Sequence, residues 1–226
     1  MSTALVLPSP FLPALVHAPL AAALGRRGWG VVVSEPPPSP VDAGVVLRAF
    51  SDDAVEVVPD VVVAHSNAGR FAGFVAPAGA VVAYVDAALP PESGEATLAP
   101  EALLDHLAGL AGDDGLLPPW TRWWADEDVA SVLPDAAVLA RVRAAEGRVP
   151  LSYVRSRLGA PSGWRERRSA YLAFGETYAE EVGVARSVGW PVEVLEGAGH
   201  LHQLVDPEAV ADAVVGLVAR VRSGGQ

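Results

Sequence analysis

The sequence contains no cysteine, no lysine and no isoleucine. Without cysteine there is no disulfide and no thiolate metal site. Without lysine, all 16 basic residues are arginine, and they face 27 acidic ones for a net charge of −11. Nucleic-acid binding is dominated by phosphate contacts and needs a basic face, so this balance argues against such a partner. No uninterrupted apolar stretch of about 20 residues occurs, so neither a transmembrane helix nor a membrane partner is indicated. Pro8, Pro10, Pro13 and Pro19 interrupt the first apolar run. No positively charged segment precedes that run, so an ordinary signal peptide is not expected. A soluble, cytoplasmic location is the expectation. The surplus of alanine, valine, proline and glycine fits the coding bias of a high-GC genome and carries no functional message.

What remains is a 226-residue chain of which 51% is hydrophobic. That is long enough to bury a substantial core and short enough to form one domain, residues 1–226. Buried strands are expected at 3–7, 29–33, 61–64, 80–85, 171–174 and 192–195. They are continuous apolar runs instead of alternating ones, the pattern of a sheet covered on both faces. Helical patterns lie between them, at 13–24 with Gly25 as its stop, 41–58, from Arg70, and at the end from Asp206 to Val221. A mostly parallel, doubly wound α/β sheet of about six strands follows. Between residues 89 and 168 the rhythm lapses into helical patterns at 100–111, 134–146 and 151–158. This insertion is expected to form a helical lid over the carboxyl edge of the sheet.

One stretch carries chemistry. In Asp60-Val-Val-Val-Ala-His-Ser-Asn-Ala-Gly-Arg-Phe-Ala-Gly73 a valine run ends at Ser66 among small residues, and a helix pattern follows. Strand, sharp turn and helix make the layout of a nucleophile elbow, in which the flanking residues must be small. Ala64 and Ala68 stand where glycines are usual. Near the other end, Gly199-His200 follows the last strand, and the order serine, carboxylate, histidine runs along the chain. On these features the sequence resembles the α/β-hydrolase fold superfamily, in particular its serine esterase, thioesterase and MenH-like members. It lacks the two antiparallel strands that often precede the first parallel one.

The resemblance implies the roles. Ser66 is the nucleophile, which needs a base within hydrogen-bond reach. His200 is that base; His202 competes, and His-x-His as a metal site is set aside because no acidic cluster or cysteine accompanies it. The acid is expected just after strand 171–174, where the usual Gly-x-x-Asp spacing meets Tyr178. Glu176 is therefore the first choice and Asp86, ending the fourth strand, the alternative. The oxyanion hole would use the backbone N–H of Asn67 and of Phe11, because Pro10 has none. The Asn67 side chain could also reach the site. Trp120, Trp123 and Trp124 read either as packing or as an aromatic wall for an apolar substrate, with Arg122 beside them to meet a carboxylate. His65 reads as a packing residue, and His17 and His106 as solvated.

A serine hydrolase acting on an ester or thioester of a small apolar molecule is the leading reading, with no cofactor and no metal. Two alternatives remain. One is a non-hydrolytic enzyme of the same fold, running an elimination, retro-aldol or cyclisation. The other is a binding protein with a decayed site, since fold alone does not fix function. Substrate identity and oligomeric state are not encoded in any motif.

Overall fold

The computed structural model describes residues 2–133 and 135–224. The strands are β1 (Thr3–Leu7), β2 (Gly30–Val33), β3 (Val61–Ser66), β4 (Val81–Ala87), β5 (Glu95–Thr97), β6 (Arg157–Gly159), β7 (Ser169–Phe174) and β8 (Val192–Leu195). Six of them form one sheet in the order β2-β1-β3-β4-β7-β8, and every neighbouring pair is parallel. The expected sheet is thus present. Parallel strands need crossovers, which the helices supply. They are α1 (Ala18–Arg26), α2 (Ala43–Val57), α3 (Gly69–Val75), α4 (Glu101–Leu110), α5 (Asp126–Val132), α6 (Ala136–Ala145), α7 (Leu151–Arg155), α8 (Ala179–Ser187), α9 (His202–Val205) and α10 (Pro207–Ser223).

Side chains alternate between the two sheet faces, as the strand period of 2 dictates. Leu5, Val62, Val82 and Tyr84 point to the α2–α3 side. Ala4, Val6, Val61, Val63 and Val85 point to the α1–α10 side, against Leu20, Leu24, Val214 and Leu217. β1, β3, β4 and β7 are buried almost throughout. Each fully buried valine or leucine contributes about 1.5–3 kcal/mol of transfer free energy. This explains why β3 and β4 read as unbroken apolar runs.

Local details depart from the sequence reading. Helix α1 runs through Gly25 to Arg26, and the left-handed turn that follows is made by Gly28 at φ 81°. Residues 14–16 form a separate 3₁₀ turn ahead of Pro19. The expected helix 151–158 stops at Arg155, and Arg157–Gly159 pairs antiparallel with Glu95–Thr97. In the pattern at 134–146, Pro134 lies outside the described residues, and α6 is capped by Asp135, whose carboxylate accepts from the Ala137 and Val138 N–H.

Candidate active site

The site is built at the carboxyl ends of β3, β4 and the loop after β8. Ser66 ends β3 with φ 57°, a left-handed conformation rare for a residue with a Cβ. Such strain persists only where the surroundings impose it. Ala64 and Ala68 flank the turn and are fully buried. The close approach falls one residue later: a Cβ on Gly69 would lie 2.2 Å from the Ala88 carbonyl oxygen. The glycine requirement of the elbow has therefore moved from position 68 to 69.

Asp86 is the second strained residue, at φ 42°, at an irregularity where Ser66 pairs with Ala87 instead of Asp86. It is fully buried. Its Oδ1 accepts from the Phe174 N–H at 2.9 Å, and its Oδ2 lies 2.6 Å from His200 Nδ1. Since a carboxylate can only accept, His200 donates through Nδ1–H, and in the neutral ring Nε2 is then the acceptor. Ser66 Oγ is 3.1 Å from that nitrogen and donates to it. Gly199 lets the His200 loop come close to α5, where a Cβ would meet Val132 at 3.1 Å.

This arrangement corrects the first choice of acid. Glu176 is exposed, carried outward by the turn after β7 in which Gly175 takes φ 60°. Asp86, the alternative, occupies the place beside His200. Tyr178, at the spacing where an aspartate is usual, turns inward and lines the same cavity as Ser66 and His200. Burial pushes its phenol above the usual range, so the hydroxyl stays protonated and uncharged beside Ser66. Tyr178 also packs on the His200 ring, 5.8 Å between centroids.

The other expected residues divide. Phe11, Asn67, Trp120, Trp123 and Trp124 all border a cavity of about 240 Å³ that contains Ser66 and His200. The Phe11 N–H reaches Ser9 Oγ only at 3.4 Å. The Asn67 side chain does not serve the cavity, since its Nδ2 donates to the Leu98 carbonyl and its Oδ1 accepts from Tyr153. A second cavity, about 220 Å³, lies on the other side of His200 against Trp120, Trp124, Val129 and Val132. Arg122 is exposed and borders neither cavity. A larger groove of about 560 Å³ runs past Pro13 and Pro36, but it touches neither Ser66 nor His200.

His17, expected in solvent, is fully buried. Its Nε2 lies 3.2 Å from His65 Nδ1, and His65 Nε2 donates to the His200 carbonyl oxygen at 3.0 Å. The His65 ring stacks on His200, 4.8 Å between centroids, so the packing role expected for it is directed at the loop carrying His200. The periodicity around His17 gave no sign of this, because the partner is 48 residues away. His106 is exposed, as expected, and bonds the Trp123 carbonyl.

Burial lowers His17 from 6.5 to about 3, with His200 adding to the effect, and lowers His65 strongly too. Both rings fold in neutral and must take up protons only on unfolding. Between pH 6.5 and about 3 the unfolded chain therefore binds more protons, and stability falls as pH falls. His17 alone contributes a slope of up to about 1.4 kcal/mol per pH unit there. Urea midpoints measured from about pH 7 to 4 should drop steeply, and His17→Leu should flatten the curve. An unchanged slope in that variant would contradict the assignment.

Comparison with known proteins bears on the fold and the family. Residues 4–213 match the model of the alpha/beta hydrolase family. Among solved structures, an extracellular alpha/beta-hydrolase from a Paenibacillus species superposes with a TM-score of 0.72 at 12% identity, covering 96% of this chain and 99% of that one. Polyneuridine aldehyde esterase gives 0.72 at 14% identity, with 96% and 99% covered. Tomato methylketone synthase I, complexed with 2-tridecanone, gives 0.73 at 13% identity, with 98% and 99% covered. At such identities the likeness is one of fold. No curated protein matches the sequence.

Proposed function

This chain belongs to the alpha/beta hydrolase family, and from that premise we propose that it is a serine hydrolase cleaving an ester or thioester of a small molecule with an apolar part. One observation carries the reading: the unbroken chain of hydrogen bonds from Ser66 through His200 to Asp86, 3.1 and 2.6 Å long. As Ser66 Oγ attacks the carbonyl carbon, its proton passes to His200 Nε2. The buried Asp86 carboxylate holds the ring in the right tautomer and stabilises the imidazolium. The negative charge developing on the substrate oxygen is met by the Asn67 and Phe11 N–H groups. His200 then gives its proton to the leaving alcohol or thiol. Water, losing its own proton to His200, attacks the acyl-serine, releases the acid and restores Ser66.

The segment between β4 and β7 acts as the lid in this reading, since Leu98, Leu103 and the three tryptophans border the Ser66 cavity from above the sheet. The apolar wall excludes water from the oxyanion and receives the substrate's hydrocarbon part. Among the described residues no helix is long and apolar enough to cross a membrane, and the composition favours a cytoplasmic site of action.

The test is turnover of 4-nitrophenyl butyrate. Ser66→Ala and His200→Ala should each reduce kcat by about 10⁴–10⁶. Normal turnover in Ser66→Ala with loss in His200→Ala would contradict hydrolysis through an acyl-serine and indicate proton-transfer chemistry alone.

A further inference from the structure

Arg70 is the one guanidinium bordering the Ser66 cavity among the described residues. It sits in the first turn of α3, four residues beyond the nucleophile, so the elbow that fixes Ser66 also fixes Arg70. Its Nε is shielded from water yet has no hydrogen-bond partner among the described residues. No described carboxylate comes within ion-pair distance of it, whereas Arg27, Arg143, Arg148, Arg165 and Arg220 each hold one at 2.8 Å or less. In a chain with 27 acidic residues and 16 basic ones, partners are plentiful. The other arginines without a carboxylate partner among the described residues are exposed, except Arg167, which donates to the Ala76 carbonyl, so Arg70 is set apart by being half-buried with no side-chain hydrogen bond.

A shielded N–H without an acceptor, such as the Arg70 Nε–H, is costly unless a ligand meets it. The planar fork of the guanidinium matches a carboxylate, which can take two parallel N–H bonds. Glu181 also borders the cavity and is the internal candidate for that acceptor. It stays beyond ion-pair range, and burial raises its carboxyl while Arg70 lowers it. Tyr178, the other neighbour, carries a protonated phenol and brings no charge. The space in front of Arg70 is thus left to the ligand. Across His200 lies the apolar cavity of Trp120, Trp124, Val129 and Val132. The two cavities together describe a molecule with an acidic end and an apolar end, joined near Ser66.

We propose that Arg70 binds a carboxylate of the substrate, which makes the substrate an anionic ester such as a half-ester of a short dicarboxylic acid with an apolar alcohol part. The inference rests on the hydrolase reading for the ester linkage, and recognition of the anion is separable from turnover. Arg70 takes the place first expected of Arg122, which points to solvent.

The experiment uses Ser66→Ala protein, in which no turnover occurs, and calorimetric binding of monobenzyl glutarate against its neutral methyl ester. The half-ester should bind about tenfold tighter or more, the worth of a charged hydrogen bond. Adding Arg70→Met should erase that preference, and Arg70→Lys should keep part of it. A purely structural role for Arg70 would weaken both ligands alike and leave their ratio unchanged. Equal binding of the two esters, a preference that survives Arg70→Met, or no measurable binding of the half-ester overturns the proposal. If the anion preference is found but wild-type protein hydrolyses neither ester, the hydrolase reading fails and the anion site stands. If wild-type protein hydrolyses both esters but binding is equal, the anion site fails and the hydrolase reading stands.

Discussion

Asp86→Asn is expected to reduce kcat/KM for an activated ester by about 10⁴-fold, the scale set by loss of the correct imidazole tautomer. The asparagine amide would offer Nδ2–H to His200 Nδ1 and place the ring proton on Nε2. That nitrogen could then no longer accept from Ser66. The backbone should hold, because asparagine tolerates the left-handed conformation that Asp86 adopts at φ 42°. Oδ1 could still accept from the Phe174 N–H, as it does now at 2.9 Å. Glu176→Gln, by contrast, changes an exposed side chain and should leave kcat/KM within about twofold, as for most surface substitutions. Steady-state kinetics on the two variants side by side makes the comparison. A large loss in Glu176→Gln, or activity retained in Asp86→Asn, would move the acid back to the loop after β7.

Gly69→Ala is expected to cost about 3 kcal/mol of stability, at the upper end for overpacking. In an open helix the same change would stabilise by roughly 0.5–1 kcal/mol. Here the added Cβ would stand 2.2 Å from the Ala88 oxygen and 3.0 Å from the Ala87 Cβ, and a main-chain oxygen cannot swing aside as a side chain can. Sterics win. Relief requires α3 to move away from the end of β4, where Asp86 sits, so activity should fall with stability. The control is Ala68→Gly, which restores the usual elbow glycine. Ala68 has φ −63° and needs no such freedom, so that change should cost only about 0.5–1 kcal/mol. Urea denaturation measures both. A Gly69→Ala protein as stable as the parent would refute the close approach on which the elbow is built.

The fold was legible because a parallel sheet leaves a coarse record. The valine runs of β3 and β4 are buried on both faces, and no half-exposed strand writes that pattern. Ser66 and His200 were legible for a related reason, since each follows a strand end in a turn of small residues. Asp86 was harder. Its signal was present as a charge closing an otherwise apolar strand, which a buried sheet tolerates only when the charge is paired. Spacing after β7 met Tyr178, which made Glu176 the nearest carboxylate there, and the left-handed turn at Gly175 sends that residue outward.

The least legible features depend on contacts far apart in sequence. His17 and His65 meet across 48 residues of sequence, and His65 and His200 across 135. Periodicity around His17 alone could only suggest a polar residue on a helix face. Arg70 carried a usable sign, being one helical turn beyond the nucleophile. Its lack of a carboxylate partner, however, is a property of the packed structure. The helix expected over 151–158 ends early because local helical preference loses to a strand pairing with residues about sixty positions earlier.

The central claim is that Ser66 is an activated nucleophile, and labelling by a fluorophosphonate probes it directly. Intact-mass analysis should show one adduct per chain on the wild-type protein, and peptide mapping should place it on Ser66. The adduct should be absent from Ser66→Ala and much slower to form on His200→Ala. A wild-type protein that resists the reagent, or an adduct that persists in Ser66→Ala, would contradict the account.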